Sequence, residues 1–165
     1  MTTLDEFNSL DAEQAAQLIR PCLDVERWVQ GVVTGRPYAD VHQLLAQARQ
    51  VADPFRADEL AAALAHHPRI GDRAAGSSSE AALSRSEQAG LTLDDDIQRR
   101  LAEGNRAYEE RFDRVFLIRA AGRSSEEILA QLETRLANDI DTEDVIVADQ
   151  LRQIAVLRLS GLVTA

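Results

Sequence analysis

No lysine occurs anywhere in this chain; all 18 basic residues are arginine. The amine needed for a Schiff base, for covalently held pyridoxal phosphate or for a phosphate-loop lysine is therefore missing. Cysteine is almost absent too. Cys22 stands alone, so no disulfide can form within the chain, and a single cysteine argues against a thiolate-based metal centre. Such usage suits a reducing compartment. No apolar run approaches the roughly 20 residues that cross a bilayer. The opening Met1-Thr2-Thr3-Leu4-Asp5-Glu6 lacks the basic-then-apolar pattern of a secretion signal. The closing Leu162-Val163-Thr164-Ala165 carries no peroxisomal or retention tripeptide. A cytoplasmic protein with no membrane association is expected. Excess positive charge is also lacking: the net charge is −10. That argues against a nucleic-acid partner, because phosphate binding rests on clustered cations. Any anionic substrate needs a local positive pocket to offset the overall field.

What is present describes an ordinary globular chain. Apolar residues make up 45% and charged residues 28% of 165 residues, enough for one core and one domain over residues 1–165. The apolar spacing is helical almost throughout. Residues 11–20 offer Ala15, Leu18 and Ile19 on one stripe; Val25, Trp28, Val29, Val32 and Val33 repeat at the same interval until Thr34-Gly35-Arg36-Pro37 breaks it. Helices are predicted over 40–51, 57–65, 80–89, from Asp94 to about residue 112, over 126–138, and from Thr142 to about residue 162. Gly90 is expected as a left-handed cap. Residues 66–79, with Pro68, two glycines and three consecutive serines, predict a loop. The apolar run Val115-Phe116-Leu117-Ile118 is too short for a helix of its own. No strand pattern stands out. An all-α, single-domain bundle of roughly eight helices is expected.

Three places carry polar chemistry against this background. In Ala65-His66-His67-Pro68-Arg69-Ile70-Gly71, the proline disfavours helical backbone at His67 and directs it out of the helix. Imidazole is the side chain best poised to exchange protons near neutral pH. A histidine favoured by the helix dipole would be read from the same residues. Ser84, Glu87 and Gln88 fall at i, i+3 and i+4 and share one helical face, although Ser-x-x-Glu is also a capping box. Arg158 lies among Ile154, Ala155, Val156, Leu157 and Leu159; its periodicity favours a surface arginine over a buried carboxylate clamp. Asn105, Tyr108 and Phe112 form a stripe that reads as core packing. His42 and His66 have no comparable context.

These residues carry a resemblance. The pattern Ala65-His66-His67-Pro68-Arg69-Ile70-Gly71 followed by Ser84-x-x-Glu87-Gln88-Ala89-Gly90-Leu91 is similar to that of the 2-oxo-4-hydroxy-4-carboxy-5-ureidoimidazoline (OHCU) decarboxylases. So are Asn105-x-x-Tyr108-x-x-x-Phe112, Phe116-x-Ile118, Gly122, Arg135-Leu136-x-Asn138 and Ile154-x-x-x-Arg158-Leu159. Asp113 departs from the pattern, standing where many members carry glycine. The resemblance implies a family-specific all-helical fold, usually a homodimer, acting without metal or organic cofactor on the small molecule OHCU. It implies removal of CO2 to give (S)-allantoin in urate breakdown. His67 would be the catalytic acid/base with Glu87 beside it. Pro68, Ser84, Arg85, Ser86, Gln88 and Arg158 would line the substrate site, together with groups of Phe116, Leu117, Ile118, Arg119 and Ala120.

Overall fold

Side-chain caps mark where most helices of the computed structural model begin; the structure describes residues 1–72 and 77–165. In order these elements are β1 (Thr2–Thr3), α1 (Leu4–Ser9), α2 (Ala12–Ile19), a 3-10 turn (Arg20–Cys22), α3 (Glu26–Thr34), α4 (Val41–Gln50), α5 (Ala57–Leu64), α6 (Ser79–Gln88), α7 (Asp95–Phe112), α8 (Ser125–Arg135), α9 (Ile140–Leu162) and β2 (Val163–Thr164). Thr3, Asp11, Asp40, Ser78, Asp94 and Ser124 each accept a hydrogen bond from the N–H three residues on. Each satisfies a backbone donor that the first turn of a helix leaves unpaired. The all-α expectation holds. No helix among the described residues is long and apolar enough to cross a membrane.

Two compact units divide the chain. The first comprises Met1–Glu59 and Arg152–Ala165. Here α3 packs on both α2 and α4, burying Trp28, Val29, Val32 and Val33, the stripe read from the sequence. The Trp28 indole donates to the Ala48 carbonyl at 2.9 Å, so the largest side chain of this core leaves no polar atom unmet. Thr2 pairs with Val163 and Thr3 with Thr164 in parallel. This short pairing and α1 escape a reading based on periodicity, because neither is long enough to show a period.

The second unit is Leu60–Leu151. Its core gathers Ile97, Leu101, Tyr108 and Phe112 of α7, Phe116 and Ile118 of the following segment, and Ile128, Leu129 and Leu132 of α8. Helices α7 and α8 meet at Gly104, where an added Cβ would sit 2.5 Å from Leu132 Cδ2. Phe116 stands edge-on to Tyr108, with ring centroids 5.3 Å apart. The predicted loop agrees with the backbone at 66–72 and 77–78, while α5 ends one residue before the predicted 65 and α6 begins at Ser79; residues 73–76 lie outside the described residues.

Two expectations are corrected. Gly90 is not a left-handed cap: α6 ends on Ala89 with right-handed dihedrals, and the positive-φ glycines among the described residues are Gly71 and Gly122. Left-handed residues follow other helices: Ala52 behind α4, at φ 56°, and Asp113 behind α7, at φ 53° and ψ 38°. Helix α8 also ends at Arg135, earlier than the predicted residue 138. Its end coincides with a buried ion pair described below.

Asp113 thus places a side chain in a conformation that glycine adopts without steric cost. Asp113→Gly should raise stability by about 0.5–1 kcal/mol, a gain partly offset by the freer unfolded chain. Thermal unfolding checks this, with a rise of a few degrees expected.

Candidate functional site

The segment carrying His67 is held by the helices around it. Beyond Leu64 the chain tightens, with His66 N–H donating to the Ala63 carbonyl at 3.2 Å and His67 N–H to that of Leu64 at 3.1 Å. Pro68 then prevents another turn. Three successive residues after it are fastened by side chains. Arg69 forks onto Glu109 of α7, with Nε at 2.7 Å and Nη2 at 3.0 Å from its two oxygens. The carbonyl of buried Ile70 accepts from Asn105 Nδ2 at 2.9 Å. Gly71 N–H donates to Gln88 Oε1 of α6 at 3.1 Å. Gly71 has φ +93°, so a side chain there would be strained.

Helix α6 supplies the second group of residues. Ser78 caps it, which puts Ser84 and Glu87 in its interior and removes the capping-box reading. Ser84 is buried; Glu87 and Gln88 on the same face are half-buried. The Gln88–Gly71 bond therefore joins the last turn of α6, next to Glu87, to the loop four residues beyond His67. His67, Ser84, Arg85 and Glu87 all engage neighbouring groups, and the imidazole is half-buried. A cavity of about 500 Å³ opens beside this junction, walled by Gly71, Asp72, Arg85, Ser86 and Gln88. Three predicted site residues thus share one cavity. His67, Pro68, Ser84 and Glu87 are not among its walls. A second cavity, about 340 Å³, lies where the same loop meets Leu101, Asn105 and Glu109 of α7.

Residues 115–120 have no regular secondary structure. Phe116, Leu117, Ile118 and Ala120 are buried and Arg119 is half-buried. Side chains again replace the missing ladder. Arg135 Nη1 donates to the Leu117 carbonyl at 2.8 Å, and Arg119 N–H donates to Gln150 Oε1 at 3.0 Å. Arg135 is 2% exposed and its partner Glu143 fully buried. Glu143 also accepts from the Tyr108 hydroxyl at 2.6 Å and from Asn138 Nδ2 at 3.1 Å. Burial, then the Glu143 carboxylate, pushes the Tyr108 hydroxyl up to about 12. The stripe Asn105, Tyr108 and Phe112 is core, as its spacing suggests. Its two polar members, however, are committed to specific partners, which a single-helix pattern does not reveal.

Arg158 belongs to the first unit. It is 4% exposed, which overturns the surface reading that its periodicity favours, and its Nη1 donates to the Pro21 carbonyl at 3.3 Å. A partner 137 residues away leaves no trace in local spacing. His42 and His66 are exposed. Among the described residues, no group of three or more His, Cys, Asp or Glu stands together as a metal site would require. Asn105, Arg135, Glu143 and Gln150 were not singled out as functional from the sequence. The motif positions Asn105 and Arg135 were its only hint.

The whole chain, this region included, is similar to known proteins. The chain is 33% identical over 135 residues to the 2-oxo-4-hydroxy-4-carboxy-5-ureidoimidazoline decarboxylase of Amia calva, covering 80% of this chain and 77% of that protein. It is 24% identical over 161 residues to the uric acid degradation bifunctional protein of Bacillus sp. (strain TB-90), covering 96% of this chain and 32% of that longer protein. Its fold superposes with a TM-score of 0.68 on an OHCU decarboxylase crystallised in the presence of (S)-allantoin, at 25% identity, covering 87% of this chain and 94% of that one. The sequence also fits the OHCU decarboxylase family model over residues 8–160. With the His-Pro loop, the polar face of α6 and the closing arginine all inside that span, the chain belongs to the OHCU decarboxylase family.

Proposed function

We propose that this protein decarboxylates OHCU to (S)-allantoin in urate degradation, in the cytoplasm, as a homodimer and without a cofactor. The observation that carries the reading is the Gln88–Gly71 hydrogen bond. It ties the helix of Glu87 to the loop of His67 beside a cavity of about 500 Å³ walled by Arg85, Ser86 and Gln88.

The reaction asks little of the protein beyond proton traffic and orientation. In OHCU the carbon bearing the carboxylate and hydroxyl adjoins an imine carbon. When the bond to the carboxylate breaks, CO2 leaves and the bonding pair forms a double bond to the imine carbon. The imine electrons move onto the ring nitrogen, which takes up a proton. The resulting enol then loses its hydroxyl proton to become a carbonyl, and the former imine carbon gains one. That last proton sets the configuration. The substrate is its own electron sink, so a chain without lysine can serve by positioning groups and moving protons.

In this reading His67 handles the proton. Pro68 stops the helix behind it and Gln88 fixes the loop ahead of it, so the ring approaches one face of the enol and delivers the S product. Glu87 orients His67 and accepts the substrate hydroxyl. By the resemblance, Arg158 holds an anionic oxygen of the substrate through a charge-assisted contact. Arg85 and Ser86 meet the substrate from the cavity wall, and by the resemblance Pro68, Ser84 and the groups of residues 116–120 contact it as well.

With substrate freshly made by urate oxidation, the wild type is expected to give optically active allantoin. His67→Ala should lose about 10²–10⁴-fold in turnover, the range of a general acid–base group, while keeping its helical circular dichroism. Its product should approach the racemate of the spontaneous reaction; near-normal turnover would remove the acid/base role. Arg158→Lys should lower kcat/KM by at least about tenfold, since an ammonium cannot reproduce a planar fork. Ordinary saturation kinetics in that variant would count against the clamp.

A further inference from the structure

A buried ion pair in an apolar core needs a reason. Taking Arg135 and Glu143 out of water carries a desolvation cost that well-packed apolar side chains would avoid, often with equal or better stability. The Arg135 guanidinium lies over the Tyr108 and Phe116 rings, both members of the apolar core of this unit. What an apolar substitute could not do is hold a peptide carbonyl. Arg135 directs Nε and Nη2 to Glu143 and keeps Nη1 for Leu117, with its guanidinium 4.5 Å from the centre of the Phe116 ring. Tyr108 donates to the same Glu143 oxygen as Arg135 and Asn138 to the other, so both ends of the carboxylate are held and the guanidinium stays aimed. Two residues along, Gln150 of α9 takes the Arg119 N–H. Next, Arg123 returns to the same stretch, its Nε donating to the Arg119 carbonyl at 3.0 Å and its N–H to the Ala120 carbonyl at 3.1 Å.

We infer that Gln150 and the Arg135–Glu143 pair are positioning residues of the reaction. They fix residues 116–120, a backbone without a ladder of its own, in the one arrangement that presents it to the substrate. This rests on the reading above that residues 116–120 line the site. Pinning the carbonyl of residue 117 and the N–H of residue 119 leaves the peptide groups of Ile118 held between two fixed points. A rigid donor and acceptor match the alternating N–H and C=O of a ureide, and holding them in advance removes the ordering cost from substrate binding.

Removing Arg135 would strand the buried Glu143 carboxylate, and such a variant could simply fail to fold. Gln150, at the rim of the core, gives the cleaner test. Gln150→Leu removes the acceptor and Gln150→Glu keeps one. The Leu variant should retain its thermal midpoint and helical circular dichroism. Amide exchange at Arg119 should rise about tenfold, the scale of one hydrogen bond of ordinary net worth. With fresh OHCU, kcat/KM should fall by a similar factor, mostly through KM, and Gln150→Glu should restore both readouts. Wild-type exchange and kinetics in Gln150→Leu would overturn the inference. So would exchange rising uniformly through α7, α8 and α9 with a lowered midpoint, which marks a merely structural role. The exchange arm needs no substrate. A wild type inert toward OHCU would sink the functional reading, and exchange would still decide whether Gln150 holds the segment.

Discussion

Backbone that leaves a helix must find partners for its N–H and C=O groups, and in the second unit those partners are side chains. Helices satisfy themselves; the two stretches assigned chemistry here do not. The loop after His67 is fastened at Arg69, Ile70 and Gly71 by Glu109, Asn105 and Gln88. The stretch at residues 116–120 is fastened at Leu117 and Arg119 by Arg135 and Gln150. Without these contacts both would open to water, because an unpaired buried peptide group costs about as much as a lost hydrogen bond. The helices therefore do more than enclose a core. They act as a frame that makes irregular backbone rigid, which is the condition for using it to orient a small polar molecule.

The same constraint explains why polar residues sit inside apolar stripes. Tyr108, Asn105 and Arg135 occupy core-facing positions on α7 and α8. Each carries one group that no hydrocarbon could supply. Glu143 accepts four hydrogen bonds from three residues, Tyr108, Arg135 and Asn138. A carboxylate held from several sides in this way makes its surroundings rigid. Chemistry that relies on positioning rather than on a strong electrophile benefits from that rigidity. A ring nitrogen misplaced by an ångström delivers its proton poorly or to the wrong face.

Much of the fold was legible because helical burial is periodic. Val25, Trp28, Val29, Val32 and Val33 announce α3 and all lie inside or flank its buried face; Asp94 announces the start of α7. Residues that act over long distances were not. Arg158 looks like a surface arginine within its own helix, and its burial depends on chain far away in sequence. The carboxylate of Glu143 gives no local sign that Tyr108, 35 residues earlier, will bind it. Gly90 resembled a cap because glycine is permissive, yet left-handed backbone falls on Ala52 and Asp113, the latter the residue that departs from the family pattern. His67 and Glu87 could be singled out only because proline and helical spacing impose local geometry. The roles proposed for them rest on the resemblance alone.

If His67 and Glu87 serve one proton transfer, their contributions cannot be independent. The most direct test is a double-mutant cycle on kcat/KM with His67→Ala, Glu87→Ala and the combined variant, all checked for native circular dichroism. The account predicts that the double variant is no slower than the worse single variant, to within about threefold, as for residues that act as a unit. Losses that multiply would mean the two side chains act apart, and would contradict it.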